Sequence, residues 1–415
     1  MSSSESNEAM NSSNFHVSTD EDSYSNEYYP VYPRLGSPRH SLLSPSIVSL
    51  MTIMFSAGIL VGGMGSEFGI QIHSGSTSPS SQQSLTYHAK DAMQVSSDDP
   101  SLRGEEENDS IKIAWLMSFP NSGTSYTSEL IRTVTGHNTA SNYYGVENLG
   151  TSGISTPVFE DSPKGPFWTD PSNPTYSKPK RGYVLTKTHC GGRCDRCGPS
   201  DYIENHELFL KQCLEAEYVD SDGNGGTKKT KGIYDKDLIE RAVHLIRDPF
   251  DNIVSRFHLA HNHFGKRNET DKVEKYPKSS YGFRKFCSDL GETYQHEEKK
   301  SRLYSDVYQV VKDIPCHADF FKFVQWHNLA FTTTWDLGVP TLVLHYENYT
   351  SNFNQTKEML LDFLKQDDNH YDPPEFITGK TYREYFTKKE VDAVSQMFSK
   401  LALDKTWNYT KHYFD

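Results

Sequence analysis

The sequence predicts an α/β domain over residues 111–415, with a mostly parallel β-sheet flanked by helices. Short apolar runs of strand type alternate there with longer runs of helical periodicity. Strands that are separated by helices favour parallel pairing, with helices covering both faces of the sheet. Three of the four predicted strands end in polar residues, and ligands of such sheets collect at the carboxyl ends of the strands.

The first 110 residues predict three segments that precede this domain. Residues 1–45, rich in Ser, Asn and Glu, predict a disordered cytosolic tail. Residues 46–65 predict a transmembrane signal-anchor helix, because residues 41–66 contain no Asp, Glu, Lys or Arg and a bilayer core needs about 20 apolar residues. Arg34 and Arg39 precede this run and orient the N-terminus to the cytosol. A buried core helix or a cleaved signal peptide fits the apolar run at 46–65 less well than a transmembrane helix does. Residues 66–110 predict a disordered lumenal stem.

The net charge of −13 is concentrated in this N-terminal part. Residues 1–110 carry 14 acidic and 4 basic side chains, a net charge of −10, and residues 111–415 carry the remaining −3. A domain so close to neutral lacks the strongly basic surface of a nucleic-acid-binding protein. We therefore expect no nucleic acid as a partner, and an anionic ligand has to be held by local donors.

Glycosylation sites and cysteines are consistent with a lumenal domain. Asn-x-Ser/Thr triplets begin at Asn108, Asn268, Asn348, Asn354 and Asn408. An even number of cysteines in an oxidising compartment predicts disulfides, whose pairing the sequence leaves open. The six cysteines are Cys190, Cys194, Cys197, Cys213, Cys287 and Cys316. A zinc site formed by His189, Cys190, Cys194 and Cys197 is the alternative, although this spacing matches no standard pair of ligand knuckles.

The order of the predicted elements follows from the hydrophobic pattern. Apolar runs predict strands over residues 113–117, 182–186, 242–246 and 341–345. Tyr126, Leu130 and Val134 recur at helical spacing and predict a helix after the first strand. Further helices are predicted over residues 203–215, 249–264, 281–289, 318–336, 355–364 and 388–401. Polar composition predicts loops over residues 220–232 and 266–280.

The stretch from the first strand into the first helix predicts an anion-binding loop. The first backbone N–H groups of a helix are unpaired and lie at the positive end of its dipole. Ser122, Thr124 and Ser125 add three hydroxyl donors at this point. An ordinary strand-to-helix connection is the alternative, because a single glycine, Gly123, is far from a complete phosphate-loop signature.

Two other predicted strands also end in residues capable of chemistry. The strand at 182–186 leads into Lys187, Thr188 and His189. The strand at 242–246 leads into Arg247, and Ser255 follows in the next helix. Polar residues after a single strand commonly have only a structural role. Because carboxyl ends of parallel strands share one edge, the three endings together predict a common ligand site.

In these motifs the chain resembles the sulfotransferases that use 3'-phosphoadenosine 5'-phosphosulfate (PAPS). Their Pro-Lys-Ser-Gly-Thr-Thr-Trp loop is similar to Pro-Asn-Ser-Gly-Thr-Ser-Tyr at residues 120–126. Many members also have a strand that ends in Lys-Thr-His, and an Arg followed eight residues later by a Ser. Lys187 to His189 and Arg247 with Ser255 match these two elements. The resemblance covers most of residues 111–415 and implies a P-loop NTPase-like fold.

The resemblance implies a role for each of these residues. His189 is the catalytic base, and Lys187 stabilises charge on the transferred group. Asn121, Ser122, Gly123, Thr124 and Ser125 hold the 5'-phosphosulfate, Tyr126 stacks on the adenine, and Arg247 and Ser255 bind the 3'-phosphate. The co-substrate is PAPS, without a metal. The acceptor is a hydroxyl, expected on a glycan because the predicted anchor, stem and glycosylation sites are typical of a single-pass type II Golgi membrane protein.

Two departures from the family pattern keep other functions open. Asn121 replaces the lysine of the family loop, and no Arg-Lys-Gly clamp is found between residues 376 and 415. A weakly active or inactive donor-binding scaffold of the same fold is therefore an alternative. A nucleotide-dependent kinase is a less favoured one, because the loop lacks Gly-Lys-Ser/Thr and no magnesium-binding aspartate follows a predicted strand.

Overall fold

The computed structural model describes residues 112–143, 155–158, 182–194, 197–198, 202, 205–221, 223, 225–298, 308–309, 311–369 and 371–415. The predicted tail (1–45), transmembrane helix (46–65) and stem (66–110) lie outside the described residues. Within the described ranges, no helix is both long and apolar enough to cross a bilayer.

The predicted parallel sheet is confirmed. Its strands pair only in parallel and lie side by side in the order β3-β2-β4-β1-β7-β8. The sheet strands are β1 (Ile113–Ser118), β2 (Thr139–Ser141), β3 (Ser155–Pro157), β4 (Val184–Thr188), β7 (Ile239–Ile246) and β8 (Thr341–His345). A separate antiparallel hairpin consists of β5 (Glu215–Ser221) and β6 (Thr227–Ile233).

The register of the central strands brings their carboxyl ends together. Strand β1 is buried along its whole length between β4 and β7. Met117 lies opposite Thr188 of β4, and Ser118 lies opposite Leu245 of β7. The segments that follow these three strands therefore leave the sheet at one edge, as expected for ligand-binding sheets of this class.

Ten α-helices are described from their first to their last residue. They are α1 (Thr124–Thr135), α2 (His206–Leu214), α3 (Pro249–Lys266), α4 (Thr270–Lys275), α5 (Ser280–Glu298), α6 (His317–Asp336), α7 (Asn348–Ser351), α8 (Phe353–Leu364), α9 (Lys388–Leu401) and α10 (Asp404–Thr410). Helix α3 begins with Pro249 at its first position, and Asp248 Oδ1 accepts hydrogen bonds from the N–H groups of Phe250 and Asp251. This cap satisfies two of the donors that a helix start leaves unpaired.

Helices cover both faces of the sheet, as the alternation of side chains along β1 shows. Trp115 and Met117 pack on one face in a cluster with residues of α3, α6 and α9. Ala114 and Leu116 pack on the opposite face in a cluster with residues of α1 and α8. Burial of apolar surface on both faces explains why the strand reads as a continuous apolar run.

Several predicted boundaries and one predicted loop were wrong. Residues 220–232, predicted as a polar loop, mostly belong to the β5–β6 hairpin, whose turn contains Gly223 and Gly225 at positive φ. Its lysine-rich strand β6 reads as polar because most of it is exposed. Helix α5 extends nine residues past the predicted end at 289, and α4 lies inside the predicted loop at 266–280. The short strands β2 and β3 have three residues each, too few to give a periodic signal.

All six cysteines form disulfides, which confirms that prediction. The pairs are Cys190–Cys213, Cys194–Cys197 and Cys287–Cys316. The alternative zinc site at His189 is therefore wrong, because its three candidate sulfur ligands are bonded to other sulfurs. The Cys190–Cys213 bond links the end of β4 to the end of α2, next to His189.

Candidate functional site

The loop between β1 and α1 is held in shape by its own side chains and by α3. Ser122 Oγ donates a hydrogen bond of 2.7 Å to the Phe119 carbonyl. Asn252 Nδ2 donates to the Pro120 carbonyl at 2.8 Å and to Ser122 Oγ at 3.1 Å. Ser122 is fully buried. The Ser122 hydroxyl therefore fixes the shape of the loop.

Two backbone conformations in this loop restrict which residues it accepts. Gly123 has φ +94°, and a Cβ atom there would lie 2.5 Å from Cδ2 of Tyr346. Asn121 has φ +68°. Among residues with side chains, asparagine adopts this left-handed region unusually readily. Local geometry thus gives a physical reason for asparagine at the position where the similar family loop has lysine.

Lys187 approaches the loop from the neighbouring strand. Its side chain is almost completely buried, and Nζ donates to Ser125 Oγ at 3.4 Å. Ser125 belongs to the first turn of α1. Because the positive end of the α1 dipole and the ammonium group of Lys187 are adjacent, this corner of the loop attracts an anion.

Arg247 approaches the loop from β7. Its Nη1 donates to the Asn121 carbonyl at 2.9 Å, and Nη2 donates to the Lys380 carbonyl at 3.2 Å. The guanidinium carbon lies 4.4 Å from the centre of the Tyr346 ring. Both hydrogen-bond partners are neutral carbonyl oxygens, and the Asp251 carboxylate lies near enough to interact electrostatically with this buried arginine. An anionic ligand in the cleft would share the arginine's positive charge with Asp251.

Six predicted residues line one cleft with a volume of about 200 Å³. They are Asn121, Gly123, Ser125, Tyr126, Arg247 and Ser255. Ser122 and Thr124 are buried and do not line it. Seven further lining residues were not predicted: His258, Leu259, Asn262, Lys278, Tyr346, Lys380 and Tyr382.

A sequence pattern marks some of the unpredicted lining residues and not others. His258, Leu259 and Asn262 follow Ser255 at three-, four- and seven-residue spacing, so one face of α3 carries all four. That periodicity was available as a signal. Lys278 and Lys380 come from irregular segments, and no local pattern marks them. They add two cations to a cleft that already contains Arg247.

Tyr126 lines the cleft but is 97% covered, with a relative exposure of 3%. Its hydroxyl donates to the Pro374 carbonyl at 3.3 Å, and burial raises its pKa above the usual range. The rings of Tyr349 and Phe376 meet it edge to face, at centroid distances of 5.0 and 4.7 Å. Stacking of this ring on an adenine stays a prediction.

His189 follows β4 and does not line the cleft. It is fully buried, and its Nδ1 lies 2.8 Å from the Ser118 carbonyl oxygen. A carbonyl only accepts hydrogen bonds, so we assign the proton to Nδ1, which leaves the lone pair on Nε2. Nε2 has no hydrogen-bond partner among the described residues. Burial, together with the positive charge of Lys187, lowers the His189 pKa well below its usual value.

The main chain of His189 is fixed by two aromatic side chains. Its N–H donates to Tyr143 Oη at 2.8 Å, and the Tyr143 ring stacks on the imidazole at a centroid distance of 5.6 Å. Trp326 Nε1 donates to the His189 carbonyl at 2.7 Å. With the ring also anchored to Ser118, the unprotonated Nε2 is held in one orientation.

A network of acidic groups supports the start of α3, next to Arg247. Glu347 Oε1 accepts from the Asp248 N–H at 2.9 Å, and Glu347 Oε2 accepts from the Tyr413 hydroxyl at 2.7 Å. Burial and the nearby charge of Asp251 raise the Asp248 pKa to about 7. Glu347 thereby links the C-terminal segment to Asp248, the residue that follows Arg247.

Comparison of the chain with protein-family models, with curated proteins and with solved structures found no match.

Proposed function

We propose that this chain is a PAPS-dependent sulfotransferase with a P-loop NTPase-like fold, which transfers a sulfonyl group to an acceptor hydroxyl on a glycan. The observation that carries the proposal is the meeting of three strand ends. The loop after β1, Lys187 and His189 at the end of β4, and Arg247 after β7 adjoin one another. The cleft beside them brings the start of α1 together with the buried Arg247 and with Lys278 and Lys380, a combination suited to phosphate and sulfate groups. Lys187 does not line this cleft and reaches its corner only through Ser125.

The donor is proposed to lie in the cleft with its two anionic ends apart. The 5'-phosphosulfate faces the start of α1, near Ser125 and Lys187. The 3'-phosphate faces Arg247 and Ser255. Lys278 and Lys380 line the same cleft and supply positive charge that the absent Arg-Lys-Gly clamp would otherwise bring.

Lys187 is proposed to replace the lysine that the family carries in its loop. Asn121 brings no charge, whereas the Lys187 ammonium lies within 3.4 Å of Ser125 in the first turn of α1. A buried ammonium at that point stabilises charge on the sulfonyl oxygens and on the leaving phosphate. The substitution at Asn121 therefore does not by itself imply an inactive protein.

In the proposed reaction the acceptor oxygen attacks the sulfonyl sulfur. His189 Nε2 takes the proton of the acceptor hydroxyl as the new O–S bond forms. The bond between sulfur and the bridging oxygen breaks, and its electron pair leaves with adenosine 3',5'-bisphosphate. The lowered pKa of His189 keeps the imidazole unprotonated, and thus able to accept a proton, in a mildly acidic compartment.

The direct test is a transfer assay on the domain with sulfur-labelled PAPS and a panel of glycans, tyrosine peptides and small phenols. We expect label on a glycan. Binding of PAPS without transfer to any acceptor would favour the donor-binding scaffold. Transfer of phosphate from MgATP would favour the kinase, and failure to bind PAPS would contradict the family assignment.

Arg247→Ala is expected to weaken binding of adenosine 3',5'-bisphosphate by about 2 kcal/mol or more, since a buried phosphate would lose its charged partner. Calorimetric titration of wild type and variant measures this difference. AMP, which lacks the 3'-phosphate, is the matched control ligand, and its affinity should change much less. Equal affinities of wild type and variant for the bisphosphate would remove Arg247 from the site.

We also propose that the protein is a single-pass type II Golgi membrane protein with this domain in the lumen. Three disulfides and exposed glycosylation motifs such as Asn268 and Asn408 support an oxidising, glycosylating compartment. Expression of the full-length chain in a glycosylating cell is expected to modify Asn268. Glycosidase digestion followed by mass spectrometry checks this, and an unmodified Asn268 together with unmodified Asn408 contradicts the topology.

A further inference from the structure

A tyrosine outside the cleft is hydrogen-bonded to the residues that support Arg247. Tyr413 lies in a short helical turn, Lys411–Phe414, which follows α10. Its hydroxyl donates a hydrogen bond of 2.7 Å to Glu347 Oε2. The same hydroxyl oxygen lies 2.8 Å from Nδ1 of His345, the last residue of β8. Because Tyr413 does not line the cleft, it can affect a ligand there only through its neighbours.

The direction of these two hydrogen bonds follows from the protons that are available. A tyrosine hydroxyl has one proton, and this proton is donated to the Glu347 carboxylate. The Tyr413 oxygen therefore accepts the other bond, and we assign the proton of the His345 ring to Nδ1. The two bonds form a chain from His345 through Tyr413 to Glu347. In such a chain each bond polarises and strengthens the next.

The second carboxylate oxygen of Glu347 holds the peptide group that follows Arg247. Glu347 Oε1 accepts from the Asp248 N–H at 2.9 Å. A peptide group is planar, so this bond fixes the plane that contains the Arg247 carbonyl and the Asp248 N–H. Arg247 lies between the end of β7 and the start of α3. Glu347 therefore fixes the direction of the main chain at the point that carries the Arg247 side chain.

The residue before Glu347 contacts the Arg247 side chain itself. The ring of Tyr346 lies with its centre 4.4 Å from the guanidinium carbon of Arg247. The Tyr346 N–H donates to the Ile246 carbonyl at 2.8 Å, next to Arg247. The turn after β8 thus holds both the main chain and the side chain of Arg247. A two-point contact between a guanidinium and a phosphate depends on this placement, because both hydrogen bonds need correct geometry at once.

The helical turn at 411–414 is held by contacts that do not involve the Tyr413 hydroxyl. Arg383 Nη1 donates to the Tyr413 carbonyl at 2.9 Å. The Phe414 ring meets the Phe250 ring edge to face at a centroid distance of 5.9 Å, and it stacks on Trp407 at 5.9 Å. Removal of the hydroxyl alone therefore leaves this turn in place and breaks only the chain of hydrogen bonds to Glu347.

We propose that Tyr413 is a positioning residue for the 3'-phosphate site, which acts on Arg247 through Glu347 and Asp248. This inference rests on the proposed function of the cleft and deepens it. Without the hydroxyl, Glu347 loses a donor and His345 loses an acceptor, and both lie in partly buried surroundings. Glu347 then no longer holds the Asp248 N–H in one position, and the guanidinium of Arg247 loses its fixed base.

Tyr413→Phe keeps the ring and removes the hydroxyl. Calorimetric titration is expected to show affinity for adenosine 3',5'-bisphosphate reduced by about 5-fold or more, the factor that one ordinary hydrogen bond gives, and affinity for AMP changed by less than about 2-fold. A general loss of stability lowers the affinity for both ligands alike. An unchanged ratio of the two affinities in Tyr413→Phe therefore overturns the inference.

Tyr409→Phe, in α10, is the matched control. Tyr409 is 38% exposed, and its ring stacks on Phe331 at a centroid distance of 5.6 Å. We expect this variant to bind the bisphosphate with wild-type affinity. A loss as large as that of Tyr413→Phe would mean that any change in this part of the chain weakens binding, and it would contradict a specific role of the Tyr413 hydroxyl.

A double-mutant cycle tests whether Tyr413 acts through Glu347. Glu347→Ala removes both carboxylate oxygens and should weaken bisphosphate binding at least as much as Tyr413→Phe. In the Glu347→Ala background, Tyr413→Phe should reduce the affinity by less than about 1.5-fold further, because residues of one hydrogen-bonded network are not additive. Two losses that multiply overturn the inference. If Glu347→Ala fails to fold, the ratio of affinities in Tyr413→Phe decides.

Amide hydrogen exchange separates failure of this inference from failure of the proposed function, because it requires no ligand. The Asp248 N–H should exchange at least about 5-fold faster in Tyr413→Phe than in wild type. The Tyr346 N–H, bonded to the Ile246 carbonyl, should exchange at an unchanged rate. Unchanged exchange at Asp248, in a protein that binds the bisphosphate, contradicts this inference alone. A wild-type protein that does not bind the bisphosphate contradicts the proposed function and the 3'-phosphate site with it.

Discussion

His189→Ala is expected to slow sulfonyl transfer by about 100- to 10,000-fold, the range that a positioned general base contributes. The unprotonated Nε2 is buried and held in one orientation by Ser118, Tyr143 and Trp326, so no solvent molecule readily replaces it. Because His189 does not line the donor cleft, affinity for adenosine 3',5'-bisphosphate should stay within about 3-fold of the wild-type value, a difference below 1 kcal/mol. Single-turnover transfer and calorimetric titration measure the two quantities.

His189→Gln serves as a control for loss of volume, since it is polar but does not act as a base near neutral pH. It should be as slow as the alanine variant. Wild-type kcat/KM should fall only at a pH below the usual imidazole pKa of about 6.5, because burial and Lys187 lower the pKa of His189. Transfer by both variants at a rate within a few-fold of wild type would exclude His189 as the base.

Mild acid is expected to destabilise the fold, and buried histidines are the reason. Burial lowers the pKa of His244 to about 3 and that of His345 to about 4, and it lowers the pKa values of His327 and His189 well below the usual value. The unfolded chain then binds more protons than the folded chain from about pH 6.5 downward. Stability contributed by the neutral imidazoles is lost as the pH falls through this window.

Two aspartates oppose this effect over part of the same range. The pKa of Asp248 is raised to about 7 and that of Asp251 to about 6, mainly by burial, so their contribution to stability is lost as the pH rises. The four histidines bind more protons in the unfolded chain, whereas the two aspartates bind more protons in the folded chain. The unfolded chain therefore binds about two protons more than the folded chain in this range. The free energy of unfolding should therefore fall by about 2–3 kcal/mol between about pH 6 and pH 5.

Urea denaturation at a series of pH values measures this loss. His244→Gln removes one titrating group and should reduce the loss by about 1 kcal/mol. The control is His296→Gln, on the exposed end of α5, which should leave the loss unchanged. A free energy of unfolding that is constant or rises between the two pH values would contradict the burial of these histidines.

The sequence predicted the central architecture because its signals are local and strong. Strand β1 is buried on both faces and reads as a continuous apolar run, and Pro249 marks the start of α3. The hairpin β5–β6 was missed because lysines occupy the exposed positions of β6, so this strand lacks the apolar residues by which a strand is recognised. The edge strands β2 and β3 are held by their neighbours in the sheet and have too few residues for a periodicity.

The site was predictable where its residues sit in motifs. Four of the six loop residues at 121–126, together with Arg247 and Ser255, do line one cleft. Lys278 and Lys380 were not predictable, because only the folded chain brings their irregular segments to α3.

The proposed function requires that the cleft beside the β1–α1 loop binds a 3'-phosphoadenosine donor. Calorimetric titration of the protein with adenosine 3',5'-bisphosphate, AMP and MgATP tests it most directly. We expect the bisphosphate to bind at least about 10-fold more tightly than AMP, because Arg247 and Ser255 line the cleft and are proposed to bind its 3'-phosphate. No binding of the bisphosphate, or tighter binding of MgATP, would contradict the proposed function.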